Sequence, residues 1–148
     1  MYTFAQLLSG TPSGLYRLSG DWRSRSLGKL CQLKGVRLVR IDGSTVHDRR
    51  RFLAVAAHAM RFPAWFGGNW DAFADAVMDL AWAPADAYVI VLGDMQRFGT
   101  RAPQAFRVAL SILEQAAQFW SGRGVPFHVL VADAAEAPNN ALPVVRAS

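Results

Sequence analysis

The sequence predicts an α/β fold in which a small parallel β-sheet is packed with helices. Three short apolar runs are typical of strands, and the segments between them carry apolar residues at helical spacing; the runs are 36–41, 88–92 and 127–131. Parallel neighbours need a long crossover, usually a helix, so this alternation favours a parallel sheet. We expect three strands, with a fourth if the first 35 residues add one more strand–helix unit.

The first of these strands, 36–41, alternates apolar and basic residues and ends at the turn pair Asp42-Gly43. Ser44 or Thr45 can cap the helix that follows, because a hydroxyl accepts a hydrogen bond from a free backbone N–H of the first turn. Pro63 is expected to end that helix, because proline disfavours helical backbone in the residue before it.

The second strand, 88–92, is a continuous apolar and mostly β-branched run, as expected of a strand that is buried on both faces. Pro103 suits the first turn of a long helix. Gly122 or Gly124 can terminate this helix before the last strand, 127–131.

Both ends of the chain lie outside this main alternation. Residues 1–35 form a basic extension, in which 15–18 is predicted as a short strand and 24–33 as a helix. The tail 134–148 begins as an Ala/Pro/Asn-rich stretch and is predicted to be loose. The sequence therefore divides into an extension (1–35), one main domain (36–133) and a tail (134–148).

The composition bounds the class of protein. The chain of 148 residues is 52% apolar, which is enough to bury a core, and its single cysteine, Cys31, cannot form an internal disulfide. It has neither an apolar run long enough to span a bilayer nor the charged start and apolar stretch of a secretory signal. We therefore expect a cytoplasmic protein that does not interact with a membrane.

The net charge of +5 is unevenly distributed along the chain. Residues 1–61 carry eleven Lys or Arg against three Asp, whereas residues 62–96, the acidic island, carry five Asp and no Lys or Arg. The net positive charge by itself suggests a nucleic-acid partner, but this distribution argues against that interpretation.

The acidic island contains the segment on which the functional hypothesis depends, 62–82. Gly67 and Gly68 give a flexible approach to a helix, and Asn69 is a good residue to cap it. At about 100° per residue, one face of this helix is apolar and the opposite face is acidic. The apolar set is Trp70, Phe73, Val77 and Leu80, and the acidic stripe at i, i+4 and i+8 is Asp71, Asp75 and Asp79.

The stripe has two interpretations. Asp71 suits the positive end of the helix dipole, and Asp75 and Asp79 can be an ordinary solvated face. Alternatively, the three carboxylates form a binding surface. The absence of any cation from the island favours this, as do the small alanines at 72 and 76 and the loop position of Trp65, since tryptophan is frequent at interface hot spots.

The residues from Pro63 to Ala72 resemble the barstar family: a proline, an aromatic pair, a glycine, an asparagine and then Asp-Ala at the start of a helix. The order of strands and helices around the motif is similar too, over 36–133. The resemblance implies a barstar-like fold. It also implies inhibition of a small microbial guanyl-preferring ribonuclease, in the manner of an antitoxin or immunity protein.

The family's two functional aspartates fall on Asp71 and Asp75, and its aromatic residue before the glycine falls on Trp65, where tyrosine is more usual. Gly67, Asn69 and Asp79 complete the expected partner-binding set. The partner would be a small secreted-type ribonuclease with a positively charged active site. Such a cleft must hold phosphate, so carboxylates on a rigid helix can occupy its phosphate subsites.

Two features depart from the family. Barstar itself is strongly acidic, whereas this chain is basic. The family also has a glutamate near the end of the long helix that contacts the enzyme. The corresponding region here is Gln118-Phe119-Trp120, and Glu114 lies more than one turn earlier. Both departures concern the identity of the nuclease and leave the fold prediction unchanged.

Three other functions fit the sequence less well. His47, His58 and His128 are scattered and stand at no catalytic or metal-binding spacing, so we expect no enzyme activity, cofactor or metal. An RNA-binding module could use the basic run 49–51 and the basic extension. However, no RNA-binding motif is present and the aspartate stripe is unfavourable, so direct nucleic-acid binding is not expected. A non-inhibitory protein-interaction scaffold is the third alternative.

Overall fold

A computed structural model of the chain describes residues 1–132 and 142–147. At its centre is a six-stranded sheet in which all paired strands are parallel. The strands are β1 (Tyr2–Thr3), β2 (Gly14–Ser19), β3 (Val36–Asp42), β4 (Ala87–Gly93), β5 (Phe127–Ala132) and β6 (Val144–Arg146), in the spatial order β1-β6-β2-β5-β4-β3. The predicted α/β class is confirmed, with six strands in place of three or four.

Six helices connect or follow these strands in the described part of the chain. They are α1 (Phe4–Leu7), α2 (Arg25–Leu33), α3 (Arg49–Met60), α4 (Trp70–Val77), α5 (Gln96–Arg101) and α6 (Pro103–Ser121). None of them is both long enough and apolar enough to cross a membrane. Pro103 is the first residue of α6, as predicted, and Gly122 caps its end.

The predicted cap of α3 is wrong. The helix begins at Arg49, and the carboxylate of Asp48 accepts a hydrogen bond from the backbone N–H of Arg51 at 2.8 Å. Ser44 has a different role, because its backbone N–H donates to the Asp42 carboxylate at 2.9 Å and closes a turn after β3. This hydrogen bond is the main cause that lowers the pKa of Asp42. The end of α3 agrees with the prediction, with Met60 its last residue, before Pro63.

The sheet is covered on both faces, as a parallel sheet requires. The first core, on one face, lies under α3, α4, α5 and α6; its largest fully buried side chains include Phe52, Phe73, Phe98 and Phe127. The second core, on the other face, lies under α1 and α2 and includes Phe4, Leu7, Trp22 and Leu27. The extension therefore supplies the cover of one whole face.

The extension is also part of the sheet itself. β2 pairs with β5 on one side and with β6 on the other, so the predicted strand at 15–18 lies inside the sheet, and the predicted helix at 24–33 is α2. The expected tail is wrong for residues 144–146, because they form β6 between β1 and β2. The rest of the predicted loose stretch, 134–141, lies outside the described residues, as does residue 148.

Two side chains after β2 fasten the extension to the carboxyl edge of the sheet, which we define as the edge where the parallel strands end. The Trp22 ring lies over Gly93, where a Cβ atom would overlap it, and Trp22 Nε1 donates to the Asp94 carboxylate at 3.4 Å. Arg23 forms ion pairs with Asp42 at 3.1 Å and with Asp94 at 3.3 Å. The ends of β2, β3 and β4 are thus tied together.

Removal of residues 1–35 should strongly destabilise the fold, because it uncovers one edge of β5 and the apolar second face of β4 and β5. We expect the 36–148 chain to unfold at much lower urea concentration and to bind a hydrophobic dye. Arg23→Gln in the full chain is the control, because it removes only exposed ion pairs worth about 0–1 kcal/mol. If the truncated and full chains have equal urea midpoints, the face of the sheet that carries the second core does not need residues 1–35 for its stability.

His128 on β5 is the buried polar residue of the second face. It is 2% exposed, and its Nδ1 atom has no hydrogen-bond partner in the described part of the chain. Burial lowers the pKa of His128 to about 4, although a hydrogen bond with the Pro12 backbone acts in the opposite direction. The Tyr16 ring packs edge-on against the imidazole, with 5.8 Å between ring centroids. The imidazole is thus packed inside the fold beside Tyr16.

Acid should destabilise the protein through His128. Its pKa is about 4 in the fold against 6.5 for the free side chain, so between these values the unfolded state binds more protons, and the free energy of unfolding falls as the pH falls. The full loss amounts to about 3 kcal/mol. Urea melts of wild type and His128→Leu near neutral pH and near the lower pKa measure it. The variant should lose less stability on acidification; an equal loss in both proteins would contradict the assignment.

Candidate functional site

The loop before α4 places the predicted site on a helix whose start is well defined. Gly68 adopts a left-handed φ of 73°, a conformation that costs glycine little. The next residue, Asn69, has extended backbone, and its side-chain oxygen accepts a hydrogen bond from the N–H of Ala72 at 2.7 Å. The predicted cap at Asn69 is therefore confirmed.

The apolar face of α4 fixes the helix on the first core. Phe73 and Val77 are fully buried, as predicted, and the half-buried Trp70 packs on Phe52 with 6.0 Å between ring centroids. At the other end, Trp120 of α6 donates from Nε1 to the Val77 carbonyl at 2.9 Å. A short helix that is held at both ends keeps its opposite face in one orientation.

The helix is shorter than the predicted stripe requires. It ends at Val77, and the N–H groups of Asp79 and Leu80 both donate to the Ala76 carbonyl at 3.2 Å. Leu80 then takes a left-handed φ of 52° and turns its side chain into the core. Asp79 consequently lies in a turn after α4, and the expected i+8 position on the helix does not exist. Ala76 is buried and does not flank the acidic face as expected.

The acidic surface consists of Asp71 and Asp75 on α4 and Asp79 in the turn that follows. All three residues are exposed, and none has a basic group within 4.0 Å among the described residues. Asp71 and Asp75 stand one turn apart, where like charges repel by a few tenths of a kcal/mol. Within the described part of the chain, no cation within 4.0 Å relieves this repulsion.

Trp65 stands beside this surface on an aromatic base. Its side chain is 55% exposed, and its ring meets the edge of Trp82 with 5.8 Å between centroids. Phe62 packs against both Trp82, at 5.9 Å, and Phe66, at 4.8 Å. Trp82 is itself held, because its Nε1 donates to the Met60 carbonyl at 3.4 Å. The Trp82 ring therefore restricts the exposed Trp65 ring, which lowers the conformational entropy that Trp65 would lose in an interface.

The end of α6 lies beside α4, and a cation follows it in the next turn. Trp120 makes the contact with α4, and the Arg123 guanidinium lies over the Phe119 ring at 3.7 Å from its centroid. Gln118 and Glu114 are exposed on the same helix. Sequence reasoning did not single out Arg123, although an arginine four residues after an aromatic residue near the end of a helix indicates such a stacking contact.

The described residues contain no cluster of three or more His, Cys, Asp or Glu side chains that could hold a metal ion. Cys31 is buried in the second core, and burial raises the pKa of its thiol to about 11, with Arg40 acting in the opposite direction. A thiol that stays protonated at neutral pH is a poor nucleophile. His47 is exposed and lies 3.7 Å from the Asp48 carboxylate at the start of α3.

Asn69→Ala should destabilise the protein by about 1 kcal/mol, because it removes the side chain that accepts the Ala72 N–H. Asn69→Asp is the matched control, since a carboxylate caps as well and favours the helix dipole. The measurement is urea denaturation, with helix content followed by far-ultraviolet circular dichroism. Alanine and aspartate variants of equal stability would show that this cap does not define the start of α4.

The family model with the description Barstar (barnase inhibitor) matches residues 36–132 of the chain. The matched range begins with β3 and ends with β5, so it contains α4, the acidic surface and Trp65. The comparison with curated proteins gives no significant match.

Proposed function

This chain belongs to the barstar family, and we propose that it is a non-enzymatic inhibitor that blocks the active site of a small ribonuclease with the acidic surface of α4. The observation that carries this proposal is the pair Asp71 and Asp75: both are exposed and without a basic partner among the described residues, on a helix fixed at both ends. A rigid pair of unpaired carboxylates is a poor feature for stability and a good one for binding a cation.

The chemistry of the partner follows from this surface. A ribonuclease holds the phosphates of its substrate with cations in its cleft, and those cations meet carboxylates equally well. Asp71 and Asp75 would take the place of two phosphates. Gly67 has no side chain and Ala72 a small one, so the backbone around Asp71 can approach the cleft closely. The inhibitor needs no catalytic group.

The aromatic anchor adds apolar contact next to the charges. Trp65 is exposed and supported by Trp82, so its ring can cover the rim of the cleft without losing much freedom. Arg123 over Phe119, at the end of α6, favours a partner that is not positive at that point. We therefore propose a small secreted-type ribonuclease with a positively charged active site and no positive patch opposite Arg123. An antitoxin or immunity role and a cytoplasmic location stay predictions from the sequence.

The three aspartates should contribute unequally. Asp71 lies in the first turn, where the helix dipole already engages part of its charge. Asp75 lies one turn further along and is freer to meet a nuclease cation, so we propose that it contributes most. Asp79 lies beyond the helix, at the rim of the surface, where an exposed charge pair is worth about 0–1 kcal/mol.

Surface plasmon resonance against small guanyl-preferring ribonucleases, barnase among them, tests this order with Asp71→Ala, Asp75→Ala and Asp79→Ala. Loss of Asp75 should cost about 2–5 kcal/mol of binding energy, the usual cost of truncating one side of a buried charge pair, an effect for which the barnase–barstar complex of this family is the standard example. Loss of Asp79 should cost less than 1 kcal/mol. The association rate should fall as salt rises, because steering by the acidic surface is screened.

Asp21→Ala is the matched control, because it removes the same charge from an exposed position on the β2–α2 connection. It should leave the dissociation rate unchanged. If the three variants on the acidic surface lose equal and small amounts of binding energy, these aspartates form an ordinary solvated face. The inhibitory contact would then have to lie elsewhere on the protein.

A further inference from the structure

Arginines gather at the carboxyl edge of the sheet. Arg25 begins α2, the run 49–51 begins α3, and Arg97 lies in the first turn of α5, with Arg101 at its end; all six side chains are exposed. These three helices follow β2, β3 and β4, so they begin at the same edge. Phe52 of α3 stacks on Phe98 of α5 at 5.1 Å, which sets two of these groups side by side. We call these six residues the arginine edge.

The arginine edge does not serve the stability of its helices. The start of a helix carries a partial positive charge, so cations there are unfavourable and carboxylates favourable. The first turns of α2, α3 and α5 contain no acidic residue, whereas the first turn of α4 contains Asp71. Five of the six arginines thus stand where the helix dipole disfavours their charge, so helix stability does not explain their position.

The carboxylates of the same edge do not neutralise these arginines. Asp21, Asp42, Asp48 and Asp94 each accept a hydrogen bond from a group of the fold. Among the described residues, the ion pairs within 4.0 Å at this edge join only Arg23 and His47 to these aspartates. Among the described residues, the guanidinium groups of the arginine edge thus form no ion pair within 4.0 Å, and that of Arg51 donates to Thr45 Oγ1.

Two surface grooves open at the same edge. One, of about 410 Å³, lies beyond the ends of β2 and β6 and is lined by Asp21, Ser24, Ser26 and Arg146 among others. The other, of about 460 Å³, lies beside α3 and is lined by Asp42, Thr45, Arg51 and His58 among others. Arg51 is oriented by hydrogen bonds to Thr45 Oγ1 at 3.1 and 3.3 Å. Open parallel sheets bind their ligands at this edge.

We propose that the arginine edge binds the phosphate backbone of single-stranded RNA. The arginine edge extends from β2 to β3, across four adjacent strands spaced by about 4.8 Å, which is about 14 Å and suits a chain of phosphates better than a single one. The cations are all arginines, whose planar forks match phosphate oxygens. The exposed large apolar side chains among the described residues are Met1, Leu33, Trp65 and Val108, and none of them lies at this edge to stack on bases. The binding should therefore show no base preference.

The acidic surface opposes this assignment only at its start. Asp71 lies in the first turn of α4, close to the start of α3, because Trp70 packs on Phe52. The helix then leads away from the carboxyl edge, because Val77 at its end bonds to Trp120, near the end of α6, a helix that starts at that edge and crosses back. The choice of RNA over another polyanion rests on the proposed function, since RNA is the substrate of the nuclease to be inhibited. An inhibitor that also holds RNA would be concentrated where that nuclease acts.

Fluorescence anisotropy with a labelled oligouridylate, at several salt concentrations, tests the proposal on the full chain. Wild type should bind with an affinity that falls steeply as salt rises. In Arg49→Gln/Arg50→Gln the logarithmic salt slope should become shallower by about 1.4, for two lost contacts at about 0.7 each. Its melting temperature should stay equal or rise, because the two cations are unfavourable at the start of α3.

Lys34→Gln/Arg123→Gln is the matched control, because it removes two positive charges after the ends of α2 and α6, away from the carboxyl edge. This control should leave the salt slope unchanged. If the slope changes equally in both double variants, net charge alone explains the effect and the proposal is wrong. If polyglutamate binds as tightly as the oligouridylate and through the same arginines, the ligand of the arginine edge is an acidic protein and not RNA. A chain that inhibits a ribonuclease but binds no oligouridylate would overturn the RNA assignment and leave the proposed function standing.

Discussion

The parallel direction of the strands is the constraint on which the rest of this structure depends. A parallel strand cannot be followed directly by its neighbour, so each crossover must carry the chain back over one face of the sheet. Both faces of the sheet become covered, which gives the two cores on either side of β4 and β5. The strand ends also gather at one edge, which is why Arg23 can reach both Asp42 and Asp94.

Strong local patterns made most of the fold and the start of the site predictable. The apolar runs at 36–41, 88–92 and 127–131 are strands, and Asn69 caps the helix that carries the aspartates. The end of α4 was not predictable from the sequence. Leu80 takes a left-handed backbone and buries its side chain in the core, and this arrangement depends on tertiary packing that leaves no local sequence pattern. β1 and β6 have two and three residues, too few to show a periodic pattern, and their pairing is entirely non-local.

The basic extension and the acidic helix belong to different faces of one sheet. The family range contains β3, β4 and β5 with the helices of the first core, and the extension adds β1, β2, α1 and α2 on and beyond the other face. The net charge of the chain therefore says little about the surface around Asp75. A composition is an average over all faces of the molecule, and this is why a basic chain can carry an acidic surface on one of them.

The close contact of Trp22 with Gly93 has a consequence for how such chains diversify. The indole occupies the space of a side chain at position 93, so the extension and the strand it covers can only change in concert. A relative that lost its extension would be released from glycine at this position and could accept a larger residue there. The residue at position 93 lies within the matched range 36–132. Its identity in a relative would then indicate whether an ancestor of that relative had the N-terminal extension.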